Sequence, residues 1–232
     1  MTPFPYYVIE DYVQDKEFLS QILHDFKKVT VTKHWWKYDN PFEKKLAFDK
    51  IDEMPPALQL LFEMLNSSDT ITMLEHLTGI EGLLPDPGYR GGGLHRIQPG
   101  GYLHIHEDFN IHPKLKLKRK LNLILYLNEE WEREWGGALE LWAKDMSKKE
   151  VEIWPILNRA VVFDTSDHAY HGHPDPITGP KERWSIAVYY YVANDANETP
   201  HSTLYQKRPQ DMTNPELENL REIRGRGRLP QG

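Results

Sequence analysis

His106-Glu107-Asp108, answered much later in the chain by His171 and then by Arg183, is the part of this sequence whose residue types could do chemistry. Residues two apart on a strand point to the same side of the pleat, so His106 and Asp108 can face one ion. A further imidazole would complete a set of two histidines and one carboxylate. That set leaves coordination positions open and is the pattern of non-haem Fe(II) oxygenases, although the ligand types alone suit several divalent ions. Arg183 begins an apolar strand, Ile186 to Val192. Its planar guanidinium keeps its charge and matches a carboxylate in two-point geometry, which suits a dicarboxylate anchor. Ser185 lies two positions on, shares that strand face and can add a hydroxyl donor.

Other assignments compete for the same residues. His104 shares the pleat side of His106 and Asp108, so a His104/His106/Asp108 zinc site of hydrolytic type is geometrically open; the simpler reading packs His104 on Tyr102 or lines the cavity with it. His168, His171 and His173 all compete for the last ligand position, and the blandest account of them is a solvated histidine-rich loop. Arg183 by itself could be a strand-end arginine in water. The basic run Lys114, Lys116, Lys118, Arg119 and Lys120 could attract an acidic or phosphorylated substrate, but reads more simply as a solvated strand edge protected by lysines.

The elements that must position these groups follow from two periods. Residues 15–28 carry Phe18, Leu19, Ile22, Leu23 and Phe26 at helical spacing. Pro55-Pro56 opens a second helix, and Ser67, Ser68 or Asp69 caps a third that runs to Thr78 and stops at Gly79. Pro85, Pro87 and the run from Gly88 to Gly93 break this pattern. From Leu94 the period is two, with strands expected near 94–98, 102–108, 119–128, 138–143, 150–154, 158–164 and 184–192, separated by turn signals. His171 falls in the Gly- and Pro-rich loop between the last two. The expected fold is mostly β with N-terminal helices and a jelly-roll core. In one structural domain, residues 1–90 form a helical lead-in, 91–192 the core, and 193–232 an extension with a short helix around 215–223 and a flexible, arginine-rich end.

Composition is consistent with this. Apolar residues make up 39% and charged residues 27% of the 232, and the net charge is −7. An acidic chain argues against a dedicated nucleic-acid surface. There is no cysteine, which excludes disulfides, thiolate metal sites and cysteine nucleophiles together. No apolar run approaches the ~18 residues of a membrane span, and residues 1–12 lack the basic-then-apolar order of a secretory signal. A cytoplasmic enzyme is the expectation.

Four blocks in order resemble the Fe(II)/2-oxoglutarate-dependent dioxygenases, specifically their prolyl-4-hydroxylase-like branch. They are Gly100-Gly101-Tyr102 leading into His106-Glu107-Asp108; Leu125-Tyr126-Leu127-Asn128 with Trp131 and Gly136-Gly137; Tyr170-His171-Gly172-His173-Pro174; and Arg183-Trp184-Ser185 with Tyr189-Tyr190-Tyr191. The resemblance spans about residues 92–192 and implies a double-stranded β-helix. It implies Fe(II) held by His106, Asp108 and His171, with His173 as fallback because the gap from His171 to Arg183 is long. It implies 2-oxoglutarate held by Arg183, assisted by Tyr126 and Ser185, and O2 as the second cosubstrate, with ascorbate as a reductant. The implied reaction is hydroxylation of an unactivated C–H bond with release of succinate and CO2, and Asp108 favours hydroxylation over the halogenation of relatives that lack this carboxylate. The expected substrate is a small metabolite or biosynthetic intermediate, with a prolyl or other protein side chain second; a non-catalytic metal-binding sensor is the remaining class. The loop Gly88 to Arg96, the segment Phe109 to Leu117, and Trp35 and Trp36 are the candidates for its pocket.

Overall fold

The computed structural model describes residues 3–194 and 198–225. Four helices occupy the stretches with helical periodicity: α1 (Lys16–Thr32), α2 (Pro56–Leu65), α3 (Ser68–Thr78) and α4 (Pro215–Gly225). Asp15 caps α1 by accepting from the Glu17 and Phe18 N–H groups, which satisfies donors that have no partner inside the helix. Ser67 does the same for α3 through the Thr70 N–H. Gly79, at φ 72°, closes α3 in the left-handed conformation that a side chain would resist.

The strands are β1 (Tyr6–Ile9), β2 (Trp36–Asn40), β3 (Glu43–Phe48), β4 (Leu84–Pro85), β5 (Gly93–Ile97), β6 (Tyr102–Glu107) and β7 (Lys118–Tyr126). They continue as β8 (Leu139–Trp142), β9 (Lys149–Ile153), β10 (Ala160–Asp164), β11 (His171–His173), β12 (Arg183–Val192) and β13 (Leu204–Tyr205). Antiparallel pairing runs β1-β10-β7-β12-β5-β3-β6-β11-β8-β9 and curls into a half-barrel. Strands β10, β7, β12 and β5 form the larger wall, and β6, β11, β8 and β9 the smaller. Strand β3 stitches them together by pairing with both β5 and β6. This is the expected jelly roll.

Residues 1–90 depart from the mostly helical expectation, because four short strands interrupt the helices. β1 pairs with β10, the β2–β3 hairpin joins the sheet, and β4 pairs with the far end of β12. The hairpin sequence Trp36–Asn40 and Glu43–Phe48 alternates poorly because β2 is exposed along most of its length. Its strand form is set by partners rather than by local propensity. The extension likewise holds a strand, β13 on β6, besides the expected helix. Arg226 and Arg228 and the expected flexible end lie outside the described residues.

The main apolar core lies on the outer face of the larger wall. Ile186, Val188 and Tyr190 of β12 and Leu121, Leu123 and Leu125 of β7 pack there with buried residues of α1, α2 and α3. Alternate residues of β12, namely Arg183, Ser185, Ala187 and Tyr189, face the barrel interior and line its cavity. Among the described residues, no helix is long and apolar enough to cross a membrane.

Candidate metal centre

Antiparallel pairing of β6 with β11 sets His106 opposite His171, and their ring centroids lie 4.4 Å apart. Each Nδ1 is 2.8 Å from a backbone carbonyl two residues upstream, His104 O and Ala169 O respectively. A carbonyl only accepts, so Nδ1 carries the hydrogen and Nε2 keeps its lone pair for a metal. Asp108, just past the end of β6, places Oδ1 3.4 Å from His106 Nε2 and Oδ2 3.5 Å from His171 Nε2. The three donor atoms lie within 4.8 Å of one another. They form one face of a coordination sphere and leave the other side to the cavity.

The protein prepares the ionisation states that such a site needs. Burial pushes the His171 imidazole down to about 4, with the neighbouring His106 acting in the same direction, so it is neutral and able to ligate at ordinary pH. Burial opposes the charge on Asp108, but the Arg119 guanidinium and the two imidazoles outweigh it and hold the carboxyl well below the usual range. Arg119 donates from Nη2 to Asp108 Oδ2 at 2.7 Å and packs its guanidinium 3.4 Å from the centroid of Tyr189. One carboxylate oxygen is thus tied to the protein and Oδ1 is left for a monodentate metal bond.

Strand β7 was expected to present Arg119 as part of a solvated, lysine-protected edge; instead Arg119 is almost fully buried. Alternation from Leu121, Leu123 and Leu125 would turn it toward the helices. A bulge reverses this: Tyr190 pairs with Leu121 and Tyr191 with Arg119, leaving Lys120 unpaired in the ladder, and the phase shifts by one. A bulge also sets the histidines apart. His171 faces His106 while His173 faces Leu103, so strict alternation along β6 fails. His104 packs on Tyr102, with ring centroids 5.3 Å apart, and on Phe42. It does not join the three-donor group, and a His104/His106/Asp108 zinc site is not formed. His171 lies in a strand rather than in the expected loop. His168 is turned aside at φ 68° with its Nδ1 2.8 Å from the Tyr170 hydroxyl. His173 faces the cavity, buried, with neither ring nitrogen hydrogen-bonded.

Across the cavity Arg183 is buried at the start of β12. Its Nε donates to Gly137 O at 2.8 Å and its Nη2 to the Tyr126 hydroxyl at 3.1 Å. Gly137 lies at φ 76°, and a Cβ there would press on Trp131 and the Arg183 side chain. Burial pulls the Arg183 pKa down and the Tyr126 contact offsets part of that. Among the described residues no carboxylate lies within 4 Å of this guanidinium. A buried cation whose free donors face a cavity is suited to an incoming anion. Ser185, on the same face of β12, pairs across the ladder with both Tyr126 and His95 and lines the cavity. The structure therefore brings five of the six expected site residues to the wall of one chamber of about 700 Å³, with Tyr126 fully buried behind it and bonded to Arg183.

Of the expected pocket segments, Arg90 to Gly92, His95, Phe109, Ile111, Pro113, Lys116 and Trp36 reach the chamber wall. Trp35 does not; it is buried in the core with its indole N–H donating to Val29 O. Sequence reasoning missed Glu43 and Lys45, which also face inward. The i, i+2 spacing of Glu43 and Lys45 was a signal, obscured because β3 was not recognised as a strand.

A family profile described as the 2OG-Fe(II) oxygenase superfamily matches residues 92–191. A mouse (Mus musculus) prolyl 3-hydroxylase is 25% identical over 196 residues, covering 82% of this chain and 33% of its own length. The chain thus spans about a third of that relative. Among solved structures, a Pseudomonas putida prolyl-4-hydroxylase superposes with TM-score 0.59 at 15% identity, over 82% of this chain and 93% of that one. A Phytophthora capsici prolyl 4-hydroxylase gives 0.59 at 21% identity, over 96% and 69%. A carbocyclase from nogalamycin biosynthesis gives 0.60 at 13% identity, over 94% and 87%. These structural likenesses speak to the fold.

Proposed function

We propose that this chain is a member of the 2OG-Fe(II) oxygenase superfamily, on its prolyl-4-hydroxylase-like branch, and that it hydroxylates an unactivated C–H bond of a small metabolite or biosynthetic intermediate. The observation that carries this reading is the convergence of three metal donors in one chamber with a buried guanidinium that has no carboxylate partner among the described residues. His106, Asp108 and His171 would hold Fe(II). Arg183 would take the far carboxylate of 2-oxoglutarate, with the Tyr126 and Ser185 hydroxyls beside it. Ferrous iron, once bound, supplies the activation of O2 that couples loss of CO2 from the keto acid to oxidation of the substrate C–H bond.

The residues of the chain fix the geometry of that chemistry. The two Nδ1–H···O=C bonds lock the imidazole rings, Arg119 locks the carboxylate, and Arg183 fixes the cosubstrate in one pose. A cavity of this size suits a small ligand. A prolyl or other protein side chain is the second reading, favoured by the prolyl hydroxylase named among the relatives. We read residues 1–90 and 193–232 as walls of this one unit, since β3 and β13 both pair with β6.

The test is anaerobic addition of Fe(II) and 2-oxoglutarate, followed by air. A visible charge-transfer absorption and then succinate are expected from the native chain, and neither from Asp108→Ala. Absorption without succinate across a broad metabolite screen would favour a metal-binding sensor. Full turnover by Asp108→Ala would remove that residue from the ligand set.

A further inference from the structure

We infer that the prime substrate carries an oxyanion, a carboxylate or a phosphate ester, which the Lys45 ammonium receives on the chamber wall; this rests on the oxygenase reading above. Among the charged groups of the chamber, several already have assigned partners. Asp108 is paired with Arg119, and Arg183 awaits the cosubstrate. The remainder includes one pair on β3, Glu43 and Lys45, two residues apart and therefore on the same face. Their charged ends are 3.1 Å apart and both side chains are largely buried. An ammonium has three donors and Glu43 is its sole ion-pair partner among the described residues. The Lys45 head also lies 5.1 Å from the Tyr38 ring centroid, a contact that holds it at the wall.

Burial disfavours the ammonium, yet Glu43 more than restores it, and Lys45 stays charged. A lysine needed only for the fold of a sheet would turn its head to water. This one faces a chamber instead. Beside it the buried His173 offers two ring nitrogens with no partner, a further polar group directed at the same space.

The surroundings have the matching sign. Six cations line the chamber and its mouth: Lys45, Arg90, Lys116, Arg119, Arg183 and Arg224. Three carboxylates face them, Glu43, Asp49 and Asp108. The whole chain has the opposite balance, 28 basic against 35 acidic residues. A cavity that reverses the sign of its own protein concentrates anions from solution. At the mouth Trp36 and Tyr38, on alternate positions of β2, offer exposed rings to the body of the ligand.

The test uses the full chain loaded anaerobically with Fe(II) and saturating 2-oxoglutarate, so that Arg183 is occupied. Benzoate, phenyl phosphate and the neutral benzyl alcohol are titrated by calorimetry. At least one of the two anions is expected to bind about tenfold or more tightly than the alcohol, the scale of a hydrogen bond to a charged group. Which anion is preferred distinguishes a carboxylate from a phosphate substrate. Lys45→Met and Lys45→Gln should each erase the preference and leave 2-oxoglutarate affinity unchanged, while Lys45→Arg should keep the preference within about threefold. An anion preference that survives Lys45→Met and Lys45→Gln overturns the inference. So does a loss of 2-oxoglutarate affinity in those variants, which would assign Lys45 to the cosubstrate. A native holoenzyme that takes up 2-oxoglutarate but prefers neither anion overturns the inference alone; a chain that takes up no 2-oxoglutarate overturns the oxygenase reading beneath it.

Discussion

The two faces of β12 carry out opposite tasks with the same backbone. Ile186, Val188 and Tyr190 face the helices and are fully buried in the main apolar core. Arg183, Ser185, Ala187 and Tyr189 face the chamber. The first face gains stability from close packing, where each missing methylene is felt. The second holds a cation stripped of water and given no counter-charge by any described residue, an arrangement that costs stability and suits an incoming ligand. Stability and binding should therefore separate cleanly between alternate residues.

Arg183→Leu gives the largest separation. Losing a buried charged partner costs on the order of 2–5 kcal/mol, roughly 30- to several-thousand-fold in the 2-oxoglutarate requirement. The thermal midpoint should hold or rise, because the desolvated guanidinium has gone and an apolar side chain fills its space. Titration of succinate formation against 2-oxoglutarate, beside a melting curve, checks both halves. A fall in melting temperature with unaltered cosubstrate affinity would make Arg183 a structural residue and dissolve the contrast between the faces.

The reverse experiment is Leu123→Ala on β7, a fully buried position in the same core layer. Truncation there should cost about 2–5 kcal/mol of folding stability, read by denaturant unfolding. 2-Oxoglutarate binding to the folded fraction should not change. A shift in cosubstrate affinity comparable to that of Arg183→Leu would mean that the two faces are mechanically coupled.

This separation also explains what could be read from the sequence. On β12 the alternation is unbroken from Arg183 to Tyr190, so both the strand and the inward direction of Arg183 and Ser185 follow from period two alone. His106 and Asp108 were legible for the same reason. Arg119 was not, because the bulge at Lys120 reverses the phase, and a bulge leaves no mark in a run of Lys, Arg and Leu. His171 was singled out through the resemblance and does lie beside His106 and Asp108, yet its strand of only three residues is too short to show a period. Glu43 and Lys45 were hidden because β2 and β3 become strands through their partners β5 and β6, which lie far along the chain.

The smallest expected effect concerns protons. Three imidazoles of the chamber are kept neutral by the fold: burial pushes His95 down to about 3, aided by Lys45 and Arg183, His171 down to about 4, and His173 well below its ordinary value. All three start from an ordinary value of 6.5 in the unfolded chain. Between about pH 4 and 6.5 the unfolded state therefore binds protons that the folded state refuses, and the stability of the metal-free protein should rise with pH across that window. Each group contributes at most about 1.4 kcal/mol per pH unit. Leu123 carries no titratable group, so Leu123→Ala should lower the stability curve evenly and leave its slope intact. His95→Phe should instead remove about one proton from the slope. Urea unfolding of the metal-free chain at several pH values measures both. Equal slopes for His95→Phe and the native chain would show that His95 is not held neutral by the fold, and that the chamber is wetter than its buried charges require.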